Sequence, residues 1–347
     1  MKPTAEEQLR FLQNIQRLFE DGNFVATYKY ALLMSLAELA IEIPQIDYQR
    51  EIPMLIVAEK FAELYWSQTV EFISVQAGVR SGILSQNQGK QASVINQLLV
   101  LRAEGAASIS QAKKAPSWKK VVHKIADTIE KMPVKYLQNI CGTLVPFLYE
   151  FPNPPKKLVL NSGVPEMLRT FHPLIQQLAR ANWIKHVREN SQNASMVGQS
   201  DELEQFMFGA SRNALAEVAQ LLRKIQSGKC FYCESTLTNQ ADVDHFIPWS
   251  KYPRDFPHNF VLAHATCNRQ KSDLLAAEKH LDNWLERNQR YDVILENELS
   301  NFSGNISCSN RVAHWAYEQG LMIGAYGWIA GRKTEPLQAR CLERILA

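Results

Sequence analysis

The stretch that decides the fold of the second half of the chain runs from residue 230 to residue 273 and reads CFYCESTLTNQADVDHFIPWSKYPRDFPHNFVLAHATCNRQKSD. It opens with Cys230-x2-Cys233, a spacing that turns two thiols toward one point, and His264-x2-Cys267 repeats this spacing further along. The two pairs supply the four nitrogen and sulfur ligands of a closed tetrahedral zinc site. One pair alone would be a weak signal, but two matching pairs predict a structural Zn²⁺ strongly.

Acidic, imidazole and amide side chains lie between and beside these four ligands. Asp244 and His245 are adjacent in a short extended segment, and Asn259 comes before the second ligand pair. Side chains alternate along a strand, so Asp244 and His245 point to opposite faces unless a bulge or strand end redirects one of them. Asn268 directly follows Cys267, so a structural metal would fix the position of its side chain.

The order of these residues resembles the HNH endonuclease family, also called ββα-metal, in its zinc-knuckle subtype. The resemblance covers roughly 45 to 60 residues of the chain and includes every element of the motif in family order. It implies a β-hairpin and a helix that hold one divalent cation, Mg²⁺ or Mn²⁺, against a scissile phosphate. It also implies that His245 is the general base that activates water. Asp244 and Asn268 become ligands of the catalytic cation, and Asn259 orients the loop and the base.

The chemistry of phosphodiester hydrolysis agrees with these roles. An imidazole has an ordinary pKa of about 6.5 and can take a proton from water near neutral pH. A carboxylate and an amide oxygen are hard ligands for a cation that offsets the developing negative charge. Many family members carry a histidine where this chain has Asn268. The amide therefore favours magnesium or manganese over softer metals.

Several residues near the motif have a second interpretation. His258 could be mistaken for the base, but a histidine between Pro257 and Asn259 is better explained as a local hydrogen-bonding residue. Arg269 and Lys271 begin the predicted helix and are expected to contact phosphate, although both could simply be solvated. A zinc ribbon without catalysis explains the four metal ligands and leaves the Asp-His pair and the two asparagines unexplained.

The rest of the chain is predicted to be mainly α-helical. The predicted architecture is a helical N-terminal domain, a small ββα-metal domain with a structural zinc site, and C-terminal helices. Thr4 to Glu7 fits a helix-capping box, and the apolar stretch from Val312 to Ala330 reads as a packed helix. The predicted boundaries are a helical domain over 1–190, a polar linker over 191–210, the nuclease domain over 211–300 and a helical segment over 301–347.

A lysine-rich stretch is the best candidate for phosphate contact outside the motif. Residues 107–160 contain nine lysines and three acidic residues, an excess of six positive charges. Lys119 and Lys120 belong to a predicted amphipathic helix that begins near Ser117. They are expected to contact nucleic acid, and the alternative is that they only form a solvated helix face.

Composition narrows the class of protein without identifying its substrate. The 347 residues are 46% hydrophobic and 21% charged, and the formal net charge is +3, which fits a globular protein and excludes a disordered chain. Residues 5 to 10 do not form an apolar signal core, and no apolar run is long enough to span a membrane. Six cysteines, three of them within the motif, predict reduced thiols in the cytoplasm.

The sequence therefore favours a metal-dependent endonuclease of DNA, most simply double-stranded, that acts in phage defence, restriction or a mobile element. Its helical N-terminal region would serve recognition, regulation or docking of a protein partner. The alternative from another class is a zinc-stabilised nucleic-acid-binding module that positions a partner enzyme without cutting. A third hypothesis is a nuclease held inactive until a partner or signal arrives, because an unrestrained cutter would damage the genome of its host.

Overall fold

A computed structural model describes residues 3–22, 24–43, 50–74, 81–197, 202–209, 212–238 and 240–346 of the chain. The chain divides into two compact units, Met1–Phe208 and Gly209–Ala347. Each unit is described separately below. The predicted mainly α-helical class is confirmed, because helices dominate both units and the sheets are small and two-stranded.

The first unit is a bundle of helices joined by short strands. Its described helices are α1 (Ala5–Asp21), α2 (Tyr28–Glu42), α3 (Met54–Tyr65), α4 (Ser93–Ala103), α5 (Ile109–Lys114), α6 (Trp118–Lys131), α7 (Pro133–Tyr136), α8 (Val164–Thr170), α9 (His172–Glu189), α10 (Ala194–Val197) and α11 (Leu203–Phe208). Short 3₁₀ turns form at Trp66–Thr69 and Ser191–Asn193. Its strands are β1 (Glu51–Pro53), β2 (Asn139–Ile140), β3 (Thr143–Leu144) and β4 (Lys157–Val159), which pair antiparallel as β1 with β4 and β2 with β3.

Helix α2 forms the centre of this unit, since every one of its residues is buried. Such a helix has no polar face, so it must be surrounded by other helices. Helices α3, α8 and α9 pack against it. At the start of the unit, Thr4 and Glu7 form the predicted capping box, in which each side chain binds the backbone N–H of the other residue.

The segment expected to be a polar linker is partly folded onto the first unit. Among its described residues, Asn193, Val197, Leu203 and Met207 are buried. The Asn193 side chain donates to the carbonyl of Val187 at 2.8 Å and accepts from the backbone N–H of Ser85 at 2.8 Å. The low apolar content of this stretch gave no sign that it packs on the first unit. Amide hydrogen bonds, in addition to apolar contacts, hold it there. The chain divides between Phe208 and Gly209.

The second unit contains the motif. Its elements are α12 (Arg212–Ile225), β5 (Ala241–His245), a 3₁₀ turn (Pro257–Asn259), β6 (Phe260–His264), α13 (Ala265–Lys271), α14 (Glu278–Glu298), α15 (Ile306–Met322), β7 (Tyr326–Ala330), β8 (Lys333–Pro336) and α16 (Arg340–Leu346). Strands β5 and β6 pair antiparallel, with Ala241 opposite His264 and His245 opposite Phe260. Helix α13 follows β6 directly and packs on both strands, which gives the ββα arrangement.

Helix α14 packs against the β5–β6 hairpin at the end where β6 begins. The Trp284 indole is fully buried and lies parallel to the ring of Phe246 with 4.9 Å between centroids. Its N–H donates to the carbonyl of His258, and the Arg287 guanidinium donates to the carbonyls of His258 and Phe260. These bonds satisfy backbone acceptors where the chain enters β6, so the position of the strand is fixed.

The expected C-terminal helix ends earlier than predicted. Helix α15 stops at Met322, and Tyr326–Ala330 is a strand paired with Lys333–Pro336. Gly324 has a φ of +64°, a left-handed conformation that glycine adopts without steric cost and that ends the helix. A Cβ on Gly327 would lie 2.9 Å from the Cα of Ala277, so only glycine allows this close backbone contact.

No helix in the described part of the chain combines the length and the apolar content that a membrane crossing requires.

Candidate nuclease and metal site

The four predicted zinc ligands come together at one point. The ligand atoms of Cys230, Cys233, His264 and Cys267 all lie within 4.8 Å of one another. Cys233 Sγ is 3.3 Å from His264 Nδ1, and Cys230 Sγ accepts the backbone N–H of His264 at 3.4 Å. The first pair lies in a turn that follows α12, and the second lies at the junction of β6 and α13.

The surroundings of this cluster suit Zn²⁺. His264 Nε2 lies 3.1 Å from the carbonyl oxygen of Thr236, so its N–H donates there and leaves Nδ1 free as the ligand nitrogen. Burial and the neighbouring thiols of Cys230 and Cys233 raise the pKa of Cys267 to about 12. Crowded thiolates repel one another unless a cation neutralises them, and three sulfurs with one imidazole nitrogen form a closed tetrahedral set.

His245 lies at the end of β5, where strand alternation no longer constrains its neighbours. Its Nε2 is 2.7 Å from Asp255 Oδ1, and both side chains are mostly shielded from solvent. The imidazole packs against the rings of Trp249 and Phe260, with centroid distances of 5.2 and 5.1 Å. When Nε2–H donates to Asp255, Nδ1 is the basic nitrogen of the ring.

Asn259 holds the loop that follows His245. Its side chain accepts the backbone N–H of Ile247 at 2.7 Å and donates to the carbonyl of the same residue at 3.0 Å. Its own carbonyl accepts the N–H of Phe246 at 2.8 Å. These three bonds connect the residue before β6 to the two residues after His245.

Asp244 points to the other side of the strand, into the interior. Its Oδ2 accepts the Tyr232 hydroxyl at 2.5 Å and pairs with Lys271 Nζ at 3.2 Å. Burial raises the pKa of Tyr232 well above its ordinary value, and the Asp244 carboxylate adds to this, so the phenol stays protonated and donates. Burial lowers the pKa of Lys271 while Asp244 opposes that shift.

The predicted phosphate contact of Lys271 is wrong. This side chain is 0% exposed, and its Nζ also donates to the carbonyl of His245 at 2.9 Å. Since Lys271 is the last residue of α13, the helix turns it back onto β5 rather than toward solvent. A buried amine cannot reach a phosphate, and here it links the two catalytic candidates, Asp244 and His245, instead.

We expect Lys271→Met to destabilise the second unit by about 3–5 kcal/mol, because the substitution leaves the Asp244 carboxylate buried without its cation. Urea unfolding with zinc release as the readout measures this loss. Lys279→Met is the matched control, since Lys279 pairs with Glu234 at 3.2 Å on the surface and should contribute about 1 kcal/mol or less. Equal effects of the two substitutions would contradict the ion pair at Asp244.

Asn268 lies on the same side of the hairpin as Asp244. Its Nδ2 donates to Asp242 Oδ2 at 3.1 Å. Asp242 and Asp244 share one face of β5 because they are two positions apart. Asp242 is half-buried. Asp242 thus holds the Asn268 amide, and the Asp244 carboxylate with the Asn268 amide oxygen are hard donors that fit Mg²⁺ or Mn²⁺ in chemistry.

The other predicted nucleic-acid contacts are exposed. Arg269 lies on the solvent side of α13, and Lys119 and Lys120 lie on the solvent side of α6 in the first unit. The buried face of α6 carries Trp118, Val121, Val122, Ile125, Ala126 and Ile129. The phosphate contacts of these three basic residues stay predictions.

Sequence reasoning missed two residues of this site, Tyr232 and Asp255. Tyr232 lies between Cys230 and Cys233, and nothing in the sequence distinguishes it there from any other residue of a turn. Asp255 follows a proline-containing loop at a distance from His245 that has no regular periodicity. The one acidic residue between His245 and Asn259 in the sequence was the only available signal for the partner of His245.

Two family models match separate parts of the chain. Residues 8–207 match a domain of unknown function, DUF8808, and residues 227–277 match an HNH endonuclease model. The second match spans both ligand pairs, the hairpin and helix α13, so the recognition of an HNH domain is confirmed. Comparisons with curated proteins and with solved structures returned no match.

Proposed function

Because the chain belongs to the DUF8808 family, whose description names no activity, and carries an HNH endonuclease domain, we propose that it hydrolyses phosphodiester bonds of double-stranded DNA with a divalent metal. The observation that carries this proposal is the 2.7 Å contact between His245 Nε2 and Asp255 Oδ1 at the end of β5. A zinc ribbon without catalysis accounts for the four metal ligands and leaves His245 with its Asp255 contact unexplained at this position of the motif.

In the proposed mechanism, His245 is the general base. Asp255 accepts a hydrogen bond from the Nε2–H of His245. The other ring nitrogen, Nδ1, is then unprotonated and takes a proton from the attacking water. The carboxylate then stabilises the imidazolium that forms. Asn259 holds the loop against β6 through its bonds to Ile247, and the rings of Trp249 and Phe260 limit rotation of the imidazole. The base is therefore positioned before substrate binds, which lowers the entropic cost of the reaction.

The residues that would hold the catalytic cation are Asp244 and Asn268, with Asp242 as the residue that orients the amide. A bound Mg²⁺ or Mn²⁺ would neutralise negative charge on the phosphate and on the leaving oxygen. The hydrogen bond from Asn268 Nδ2 to Asp242 fixes the amide so that its oxygen, rather than its nitrogen, is available. Lys271 and Tyr232 hold one oxygen of Asp244 in place.

The experiment that tests the function is cleavage of supercoiled plasmid by the purified zinc-loaded protein with Mg²⁺ or Mn²⁺. We expect conversion to open-circular or linear DNA that requires the added cation and stops with EDTA. Parallel reactions with single-stranded DNA and RNA test the proposed substrate class. Normal DNA binding without cleavage under any divalent metal would overturn the enzymatic proposal.

We expect Asp255→Asn to lower the cleavage rate about 10- to 100-fold with little change in DNA affinity. The amide can donate to Nε2 and stabilise the wrong tautomer, which places the ring proton on Nδ1 and blocks the base. Single-turnover cleavage measures the rate. Asp273→Asn on the exposed surface after α13 is the control and should retain full activity. An unchanged rate for Asp255→Asn would remove Asp255 from the mechanism.

The exposed lysines of α6 favour the second candidate, a nucleic-acid-binding module that positions a partner enzyme. Lys119→Glu with Lys120→Glu would then weaken DNA binding, whereas His245→Ala would change no function in cells. In the proposal made here the same lysine changes weaken binding, and His245→Ala removes cleavage in the purified protein. The assay of the single protein therefore separates the two candidates.

We further propose that the nuclease acts in the cytoplasm, in phage defence, restriction or a mobile element, with a recognition or regulatory partner for the first unit. Three thiol ligands require a reducing compartment to bind zinc. A third candidate is a nuclease held inactive until a partner or signal arrives, because an unrestrained nuclease would cut the genome of its host. Plasmid cleavage by the isolated protein, the result expected above, would exclude this third candidate.

A further inference from the structure

A further group of metal-ligating side chains is made of residues outside the zinc cluster. His258 is fully buried in the turn before β6, and its Nε2 is 2.8 Å from Asp292 Oδ1 on α14. Glu296 lies one helical turn beyond Asp292. The ligand atoms of these three residues all lie within 4.8 Å of one another. The candidate catalytic residues include none of the three.

The charges of this group are unbalanced. Across the described ranges, neither Asp292 nor Glu296 forms an ion pair with a lysine or arginine, and Asp292 pairs only with His258. Burial lowers the pKa of His258, although Asp292 opposes the shift, so the ring is neutral at neutral pH. Partial desolvation and the Asp292 carboxylate raise the pKa of Glu296, although its side chain is exposed. Two like charges at positions i and i+4 of a helix repel each other, and a cation between them would reverse that effect.

We propose that His258, Asp292 and Glu296 bind a third divalent cation, of the first transition row, in addition to the zinc and the catalytic metal. One imidazole nitrogen with two carboxylate oxygens is a mixed donor set that suits Mn²⁺, Fe²⁺ or Zn²⁺ better than Ca²⁺ or Mg²⁺, which prefer oxygen ligands alone. Asp292 and Glu296 share one face of α14, so a single ion can reach both. His258 supplies the third ligand from a different element.

Binding changes the tautomer of His258. The proton on Nε2 must leave, and Nδ1 then carries the ring proton. Nδ1 is buried without a hydrogen-bond partner in the part of the chain that the structure describes. Ligand histidines usually donate this second N–H, and loss of such a partner weakens metal affinity about 10- to 100-fold. The proposed site is therefore weaker than the Cys₃His cluster and would fill only when the metal is abundant.

This cation would join the loop of the general base to α14. His258 directly precedes Asn259, and the carbonyl of His258 already accepts bonds from Trp284 and Arg287. A metal bound to the side chain of the same residue adds a third connection between this loop and the helix. The proposal concerns metal binding alone and does not depend on DNA cleavage.

The test counts Mn²⁺ bound to zinc-loaded protein by electron paramagnetic resonance of the free ion. We expect Asp292→Asn with Glu296→Gln to bind one Mn²⁺ fewer than the unmodified protein. Glu286→Gln, an exposed change on the same helix, should leave the number unchanged. The amide oxygen introduced by Asp292→Asn can still accept the His258 N–H, which favours retention of the fold. An equal number of bound ions in the double variant and the unmodified protein would overturn the proposal.

A measurement on the unmodified protein tests the site even if the double variant misfolds. Mn²⁺ should broaden the ring signals of His258 in nuclear magnetic resonance spectra of the unmodified protein. The broadening should be weaker in Asp292→Asn with Glu296→Gln, which keeps the residues proposed to hold the catalytic cation. The signals of His123, an exposed histidine of α6, should stay sharp. If His258 signals do not broaden when Mn²⁺ is in excess, the site does not exist, whatever the variant does. If the unmodified protein shows the stronger broadening but never cuts DNA, the proposed function is refuted and this metal site remains.

Discussion

Replacing His245 by alanine is expected to abolish plasmid cleavage while leaving zinc content and DNA affinity unchanged. A positioned general base contributes about 10²- to 10⁴-fold to a reaction rate, and the proposed site offers no second imidazole to take its place. The side chain of His245 is not part of the Cys₃His cluster, so its loss removes the base without removing the metal. Single-turnover cleavage with Mn²⁺ measures the loss, and bound zinc is assayed in parallel.

The control for this experiment is His123→Ala, which removes an exposed imidazole from α6 in the first unit. It should cleave at the unmodified rate. Cleavage by His245→Ala within a factor of ten of that rate would exclude His245 as the base. A loss of zinc together with activity would instead mean that the substitution disrupts the domain, and Asp255→Asn then gives the independent test of the same base.

The zinc ligands could be predicted because each pair is a local pattern. Two residues between ligands fix a turn whatever the rest of the chain does, so Cys230 with Cys233 and His264 with Cys267 converge as expected. Asn259 is a similar case, since its bonds to Ile247 close a loop between two neighbouring strands. Short-range geometry of this kind is visible in the order of residues.

The partners of the catalytic candidates could not be predicted in the same way. The position of Lys271 near the proposed metal ligand Asn268 predicts a phosphate contact, yet the end of α13 places its side chain beside the buried carboxylate of Asp244. Asp255 reaches His245 through an irregular loop, and Asp292 reaches His258 from another helix. These contacts depend on how separate elements pack, which neither spacing nor periodicity determines.

The predicted ends of secondary-structure elements are wrong where the prediction relied on apolar content alone. Val312 to Ala330 has the composition of one buried helix, but Gly324 interrupts it and the aromatic residues Tyr326 and Trp328 continue as a strand. The opposite error occurred after residue 190. There a polar stretch looked like a linker, and the amide of Asn193 attaches it to the first unit.

Replacing Cys230 by serine is expected to unfold the hairpin and helix α13 and to abolish both DNA cleavage and zinc binding. Binding of structural zinc is worth about 10–16 kcal/mol in small zinc domains, more than the stability of most whole domains. Cys230 is 1% exposed, so serine would also leave a buried hydroxyl in place of a thiolate ligand. Zinc content and the near-ultraviolet circular dichroism of Trp284 and Trp328 measure the loss, and a chelator should reproduce it in the unmodified protein.

Cys141→Ser is the matched control for this loss, because Cys141 is an exposed cysteine of the first unit and lies outside the zinc cluster. It should keep its zinc, its circular dichroism and its activity. Retention of the folded signal by zinc-free Cys230→Ser would contradict a structural metal. Cys230→Ser and His245→Ala together separate structure from chemistry: the first should lose fold and cleavage at once, whereas the second should lose cleavage alone. If both lose their fold, the inactivity of His245→Ala carries no information about its role as a base, and the rate of Asp255→Asn decides that role.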